Sequence, residues 1–199
     1  MKSKLLILVI CFALIVSCEK RDNEEIFDLK GNKISELEFK LRRETGILVL
    51  YYPNRNKMAS LTYINGDRIK EIEWYENGKE KLKREYTRSY SDWKESTWYE
   101  NGNKKKETEI KNRVEHGKTT RWYENGKKQS EGEYFQGDFH GRWIWWYEKG
   151  QMKTLIEFKY GELDGKYIDW DENGKITRDT IFKDGKIISD KHPSTATSK

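Results

Sequence analysis

One pentapeptide occurs five times at a fixed interval, and that regularity constrains the fold more than any other feature. Trp74-Tyr75-Glu76-Asn77-Gly78 recurs from Trp98, Trp122, Trp146 and Trp170, each 24 residues after the last. Lys149 replaces the Asn in the fourth copy and Asp171 the Tyr in the fifth. Tyr51-Tyr52-Pro53-Asn54 is a degenerate earlier copy, one residue short in spacing, and Phe27 to Gly31 is a weaker one. A unit this short cannot bury its own apolar side chains, so neighbours have to stack into a continuous array.

Each unit reads as a β-hairpin plus a connection. Asn-Gly suits a type I′ turn, which needs positive φ at both central residues. Asn77-Gly78, Asn101-Gly102, Asn125-Gly126 and Asn173-Gly174 supply it. A second, wider turn is expected around Gly137 and Gly141, and around Gly161 and Gly165. Trp93 stands where Gly117, Gly141 and Gly165 stand in their copies, and Ser89 and Arg113 replace Gly137, so those second turns are expected to differ. Composition agrees with β structure: aromatics make up 14% of the chain, whereas there are three alanines, a residue that helices favour. The fold class predicted is all-β, an elongated antiparallel β-meander of tandem 24-residue hairpins. Fourteen strands at about 4.8 Å would span roughly 65 Å.

Alternation sorts the faces. Ile72 and Trp74, Ile144 and Trp146, and Ile168 and Trp170 share a parity. Tyr63, Tyr86, Ile110, Tyr134, Phe158 and Phe182 occupy one equivalent position of the other strand. Both columns are assigned to a buried seam. Tyr75, Tyr99, Tyr123 and Tyr147 follow the Trp anchors and point to the opposite face, which Trp143 and Trp145 share. That row is expected to be exposed and to bind a partner, centred on Trp143, Trp145 and Tyr147, because rings offer contact area at low entropy cost.

The G-x-Y-x-x-G-x-x-x-G-x-W pattern, as in Gly132-Glu133-Tyr134 through Gly137 and Gly141 to Trp143, and the Trp-Tyr-Glu-Asn-Gly anchor resemble MORN repeats of the bacterial variant type. Proteins with this variant include those described as antitoxin components of the YwqK type. The resemblance implies a single-layer β-meander that serves as a binding scaffold, and a protein partner such as a toxin or effector.

The front of the chain points to export. Lys2 and Lys4 precede the uncharged apolar run Leu5 to Val16, too short for a permanent membrane span but suited to a secretory signal. Ile15-Val16-Ser17-Cys18 resembles a bacterial lipobox, which implies cleavage before Cys18 and acylation of its thiol. The expected organisation is a lipoprotein signal peptide over 1–17, a lipid-anchored tether over 18–26, the repeats over 27–188 and a flexible tail over 189–199. Localisation would be the bacterial cell envelope, anchored to the membrane through Cys18. Cys11 leaves with the leader, so no free thiol remains for a disulfide, nucleophile or metal site.

Loss of Lys2 and Lys4 lowers the formal net charge from +5 to +3, too little for a nucleic-acid surface. The carboxylates Glu76, Glu100, Glu124, Glu148 and Glu172 recur in every unit and are read as turn residues, because a catalytic pair would be unique. His116 and His140 share a repeat position with Asp92 and Asp164 and are also read as turn formers. No catalytic residue, metal or cofactor is expected, and the chain is read as a binding protein rather than an enzyme. A cell-envelope glycan is the alternative partner.

Overall fold

The computed structural model describes residues 24–87 and 91–191. Its strands are β1 (Glu24–Phe27), β2 (Lys33–Ile34), β3 (Gly46–Tyr51), β4 (Lys57–Ile64), β5 (Asp67–Trp74), β6 (Glu80–Tyr86), β7 (Trp93–Trp98) and β8 (Lys104–Lys111). They continue as β9 (Val114–Trp122), β10 (Lys128–Phe135), β11 (Asp138–Trp146), β12 (Met152–Lys159), β13 (Glu162–Trp170), β14 (Ile176–Lys183) and β15 (Lys186–Asp190). All lie in one open antiparallel sheet, in sequence order except that β1 sits between β2 and β3. The predicted meander is therefore observed. A short helix α1 (Glu36–Leu41), which the repeat did not predict, follows β2 and is capped by the Ser35 side chain, which accepts the Glu38 N–H. The signal peptide, Cys18, the start of the tether and residues 192–199 of the tail lie outside the described residues.

The pentapeptide turns differ from the expected type. Positive φ is confined to the glycine, between 81 and 102° at Gly78, Gly102, Gly126, Gly150 and Gly174. The Tyr N–H and carbonyl bond across the loop, as in Tyr75 N to Lys79 O and Gly78 N to Tyr75 O. This is a three-residue loop, a type I turn closed by a left-handed glycine. The type I′ geometry occurs instead at the second turns, which are tight rather than wide. Both central residues have positive φ at Asn65-Gly66, Asn112-Arg113, Gln136-Gly137, Tyr160-Gly161 and Asp184-Gly185. Gly117, Gly141 and Gly165 belong to bulges inside β9, β11 and β13, not to turns. Where Trp93 replaces that glycine, β6 and β7 pair without interruption. Arg113 keeps the tight turn, and Ser89 lies outside the described residues.

Register corrects the assignment of faces. One residue from each strand forms a row across the whole sheet. It begins with apolar Ile34, Ile26, Leu48 and Leu61, turns ionic at Glu71, Arg84 and Glu95, and then runs through Thr108 and Thr119. Beyond Gly132 and Trp143 it ends with Ile156, Tyr167, Thr180 and Asp190. Ser130 pairs with Trp145 and Tyr134 with Phe139, so Tyr134 shares this face with Trp143 and Trp145 and not with Trp146. The row face holds the most deeply buried side chains: Trp143 is fully buried, and Thr108, Thr119 and Thr180 are at most 2% exposed. A single layer can hide threonines only if longer neighbours fold over them. Glu115 does so, accepting from the Thr108 hydroxyl and pairing with Lys106 and Arg121.

The other face carries the Trp anchors, which are half-buried beneath lysine stems. Lys57 lies over Trp74, Lys104 over Trp122 and Lys128 over Trp146, with ammonium-to-ring distances of 5.9, 5.5 and 5.7 Å. Each face is thus covered by its own long side chains. The ionic stretch of the row is well satisfied. Arg84 donates to Glu95 at 2.7 Å, and the Tyr86 hydroxyl donates to Glu71 at 2.7 Å. Burial and that carboxylate push the Tyr86 phenol up to about 12.

Candidate functional site

Trp143 cannot serve as an exposed contact, because it is the most buried large side chain in the sheet. The cause lies opposite it: a Cβ on Gly132 would come within 2.3 Å of the indole, so the ring occupies space that only glycine leaves free. Its Nε1–H donates to the Glu133 carbonyl at 2.9 Å. Tyr134 and Phe139 meet it edge-on at 5.0 and 4.5 Å, and Trp145 stacks on it at 5.5 Å. Trp145 itself remains half-buried.

The tyrosine row also does structural work. Tyr75, Tyr99, Tyr123 and Tyr147 each donate their hydroxyl to the carbonyl of the next anchor, Trp98, Trp122, Trp146 and Trp170, at 2.7–2.8 Å. Tyr52 does the same to Trp74. Burial raises the Tyr99 and Tyr123 phenols above their ordinary values. The turn asparagines extend the ladder: Asn77, Asn101 and Asn125 donate to the carbonyls of Glu100, Glu124 and Glu148. The residues expected to form an exposed strip therefore clamp each unit to the next. The five glutamates of these turns are solvent-exposed. Among the described residues, no group of three or more His, Cys, Asp or Glu could hold a metal.

The exposed rings lie elsewhere, on the edge formed by the tight turns. Phe135 is 39% exposed and Tyr160 57%. His116, Phe135, His140 and Tyr160 form a contiguous group with ring centroids 4.9–5.8 Å apart. The imidazoles are held by the turns themselves, since His116 Nδ1 accepts the Gln136 N–H and His140 Nδ1 accepts the Tyr160 N–H, both at 3.4 Å. Asp92 and Asp164 accept the equivalent N–H groups of Asn112 and Asp184. Both histidines thus lie in strands β9 and β11, and each braces the tight turn of the next unit rather than forming a turn itself; they also become part of a surface patch.

A sequence signal for this patch exists, in the comparison of equivalent positions rather than in alternation along a strand. Phe135 stands where Lys111, Lys159 and Lys183 stand in their copies, and Tyr160 stands where Asn112, Gln136 and Asp184 stand. The Tyr160 position is polar in the other copies, and the Phe135 position is polar except at Ile64, before the β4–β5 turn; neither holds a ring elsewhere. A large ring that breaks the repeat at an exposed position contributes nothing that the repeat requires. The carboxylates of Asp138, Glu162 and Asp184 lie around the same turns and are exposed.

Three consecutive units match a known repeat. Residues 115–136, 139–160 and 163–184 match the MORN repeat variant. No curated protein matches this sequence. Among solved structures, that of TarM is similar at 12% identity and a TM-score of 0.20, over 94% of this chain and 24% of that one. A mutant S. aureus TarM in complex with fondaparinux, alpha-GlcNAc-glycerol and UDP is similar at 10% identity and a TM-score of 0.18, with the same coverage. This chain spans about a quarter of the length of those structures, and likeness at such scores bears on neither fold nor function. What is established is the repeat: from β9 to the turn between β14 and β15, the sheet is built of three MORN repeat variants.

Proposed function

We propose that this chain is an exported, lipid-anchored scaffold that holds a protein partner on its tight-turn edge and performs no chemistry of its own. The observation that carries the reading is the exposed ring group of Phe135 and Tyr160 at positions where no other copy of the repeat carries a ring. The opposite edge and most aromatic side chains of both faces serve packing and inter-unit hydrogen bonds. This edge has rings left over, fixed on a rigid sheet, so little ordering entropy is lost on contact. The Ile15-Val16-Ser17-Cys18 sequence supports acylation at Cys18 and a place in the bacterial cell envelope. An immunity-like role, blocking a toxin or effector at the membrane, fits an antitoxin-type repeat carried on such an anchor.

The test is paired capture from the native cells. A stoichiometric protein partner retained by the natural chain and lost from Phe135→Ala/Tyr160→Ala supports the edge. Identical capture by both removes it. Labelling with a fatty-acid analogue should mark the natural chain and spare Cys18→Ser.

A glycan partner is favoured by one observation on the row face. Trp145 keeps part of its ring exposed while Trp143 backs it, and Thr154 beside it donates to Asp169 at 2.7 Å. A platform with a neighbouring carboxylate suits a sugar ring. Binding to a glycan array that Trp145→Ala abolishes and Tyr160→Ala leaves intact would establish that reading.

A further inference from the structure

We infer that the partner segment seated on the tight-turn edge is cationic, presenting an arginine or lysine side chain to the Tyr160 ring and the carboxylates around it. This deepens the reading of the edge as a docking surface and rests on it. Two independent features converge. The first is the ring group itself, in which Tyr160 is 57% exposed and is backed by His140 at 4.9 Å and Phe135 at 5.4 Å. A ring supported from behind and open in front offers its face to a cation.

The second feature is charge. Between the tight turns at Tyr160-Gly161 and Asp184-Gly185 lies an open cleft of about 240 Å³ lined by Lys159, Tyr160, Glu162, Asp164 and Asp184. Its lining holds three carboxylates against one ammonium. Asp164 is engaged by Lys183 Nζ at 2.9 Å and by the Asp184 N–H. Glu162 and Asp184 form no ion pair among the described residues, and neither does Asp138. Asp138 lies against the same turn, its side chain 3.5 Å from where a Cβ on Gly161 would stand.

Along the strands, many carboxylates face a cation. Lys83 pairs with Glu85, Lys94 with Glu109 and Lys104 with Glu107. Among the described residues, carboxylates without an ion pair also stand in the pentapeptide turns, at Glu76, Glu100, Glu124 and Glu148, but only at the tight turns do they surround the exposed rings of Phe135 and Tyr160. A guanidinium fits both: its plane stacks on the phenol and its edge meets carboxylates. An anionic segment would face repulsion there, and a purely apolar one would leave the carboxylates to be desolvated without a partner.

The test titrates the intact protein, observed by amide NMR, with two synthetic peptides of equal length, one alternating Arg and Ser and the other alternating Glu and Ser. The expected result is shifts from the arginine peptide confined to residues 135–140, 160–164 and 184. Affinity should fall about tenfold for Tyr160→Ala and for Asp138→Asn/Glu162→Gln/Asp184→Asn, and should be kept by Tyr160→Phe. Shifts centred elsewhere, equal binding of the glutamate peptide, or indifference to Tyr160→Ala would each overturn the inference. A captured partner that still needs Phe135 and Tyr160 would, in that event, leave the edge as a docking surface for a segment of different chemistry. Melting curves of the variants, expected to match the natural chain, exclude loss of fold as the cause.

Discussion

The two long edges of the sheet follow different rules. Along the pentapeptide edge, the five full copies do the same thing: a left-handed glycine closes the loop, and a tyrosine, or Asp171 in the last copy, begins it. The tyrosine hydroxyl reaches forward to the next Trp carbonyl, and this edge changes little from β5 to β13. Along the tight-turn edge, the backbone repeats while the side chains do not. Gly137, Gly161 and Gly185 each donate their N–H to the unit before, to the carbonyls of Glu115, Phe139 and Leu163. The residues displayed there nevertheless range from Lys to Phe and from Asn to Tyr. Here the main chain holds the register, with one acceptor per unit (Asp92, His116, His140 or Asp164) on a turn N–H, so the side chains at the turn itself are free to vary and recognition can be built on them. Where side chains hold it, they cannot vary.

Six substitutions test this contrast. The largest effect is expected midway between the edges and sets their scale. Trp143→Ala should cost about 3–5 kcal/mol in chemical denaturation, because it empties a fully buried site. Trp146→Ala, which removes a half-buried ring under Lys128, should cost clearly less. Equal losses would mean that the row face is not the tighter one. Gly132→Ala should cost about 1–3 kcal/mol by overpacking against the indole. That penalty should largely vanish in a Trp143→Ala background, and a fully additive double mutant would disprove the close contact.

On the pentapeptide edge, Tyr99→Phe should cost about 0.5–1.5 kcal/mol, since it deletes the bond to the Trp122 carbonyl. On the tight-turn edge, Phe135→Ala and Tyr160→Ala should each shift stability by no more than about 0.5 kcal/mol while removing the captured partner. If the two edges responded alike, the division between them would fail.

Acid provides a finer probe at the front of the sheet. The Asp28 side chain starts the first degenerate turn, and hydrogen bonds from Asn32, first from its side chain and then from its backbone, hold its carboxyl at about 2, below its ordinary 3.8. A depressed carboxylate stabilises the fold above its unfolded value and stops doing so as pH falls through the folded one. The first turn should therefore loosen between about pH 4 and pH 2, ahead of the Asp28→Asn control, which should be flat over that range. Hydrogen exchange at Gly31 and Asn32 would report it.

Much of this was legible in the chain itself. The period of 24, the hairpins and the open meander follow from residue type and spacing. The faces did not follow, because parity within a strand says nothing about register between strands. A bulge at Gly141 and its counterparts decides whether Tyr134 shares a face with Trp145 or with Trp146. The turn types were exchanged for a related reason. Asn-Gly suits a type I′ turn, but here the hydrogen bond from Tyr75 N to Lys79 O makes the loop one residue longer, so the asparagine need not adopt positive φ. Trp143 looked free because its covering partner is the absent side chain of Gly132, and a void cannot be seen until the two strands are aligned. Phe135 and Tyr160 were missed because they were judged against their own strand and not against the equivalent positions of the other units.

The forward reach of each tyrosine also sets how such a molecule can change size. The hydroxyl of Tyr99 needs only the carbonyl one unit ahead, and that carbonyl exists in every copy. Duplicating or excising one 24-residue block would leave every remaining clasp with a mate, and the plank would lengthen or shorten by two strands, about 9.6 Å. Evolution, or an engineer, can therefore tune the span of this protein by copying alone, without redesigning a single joint.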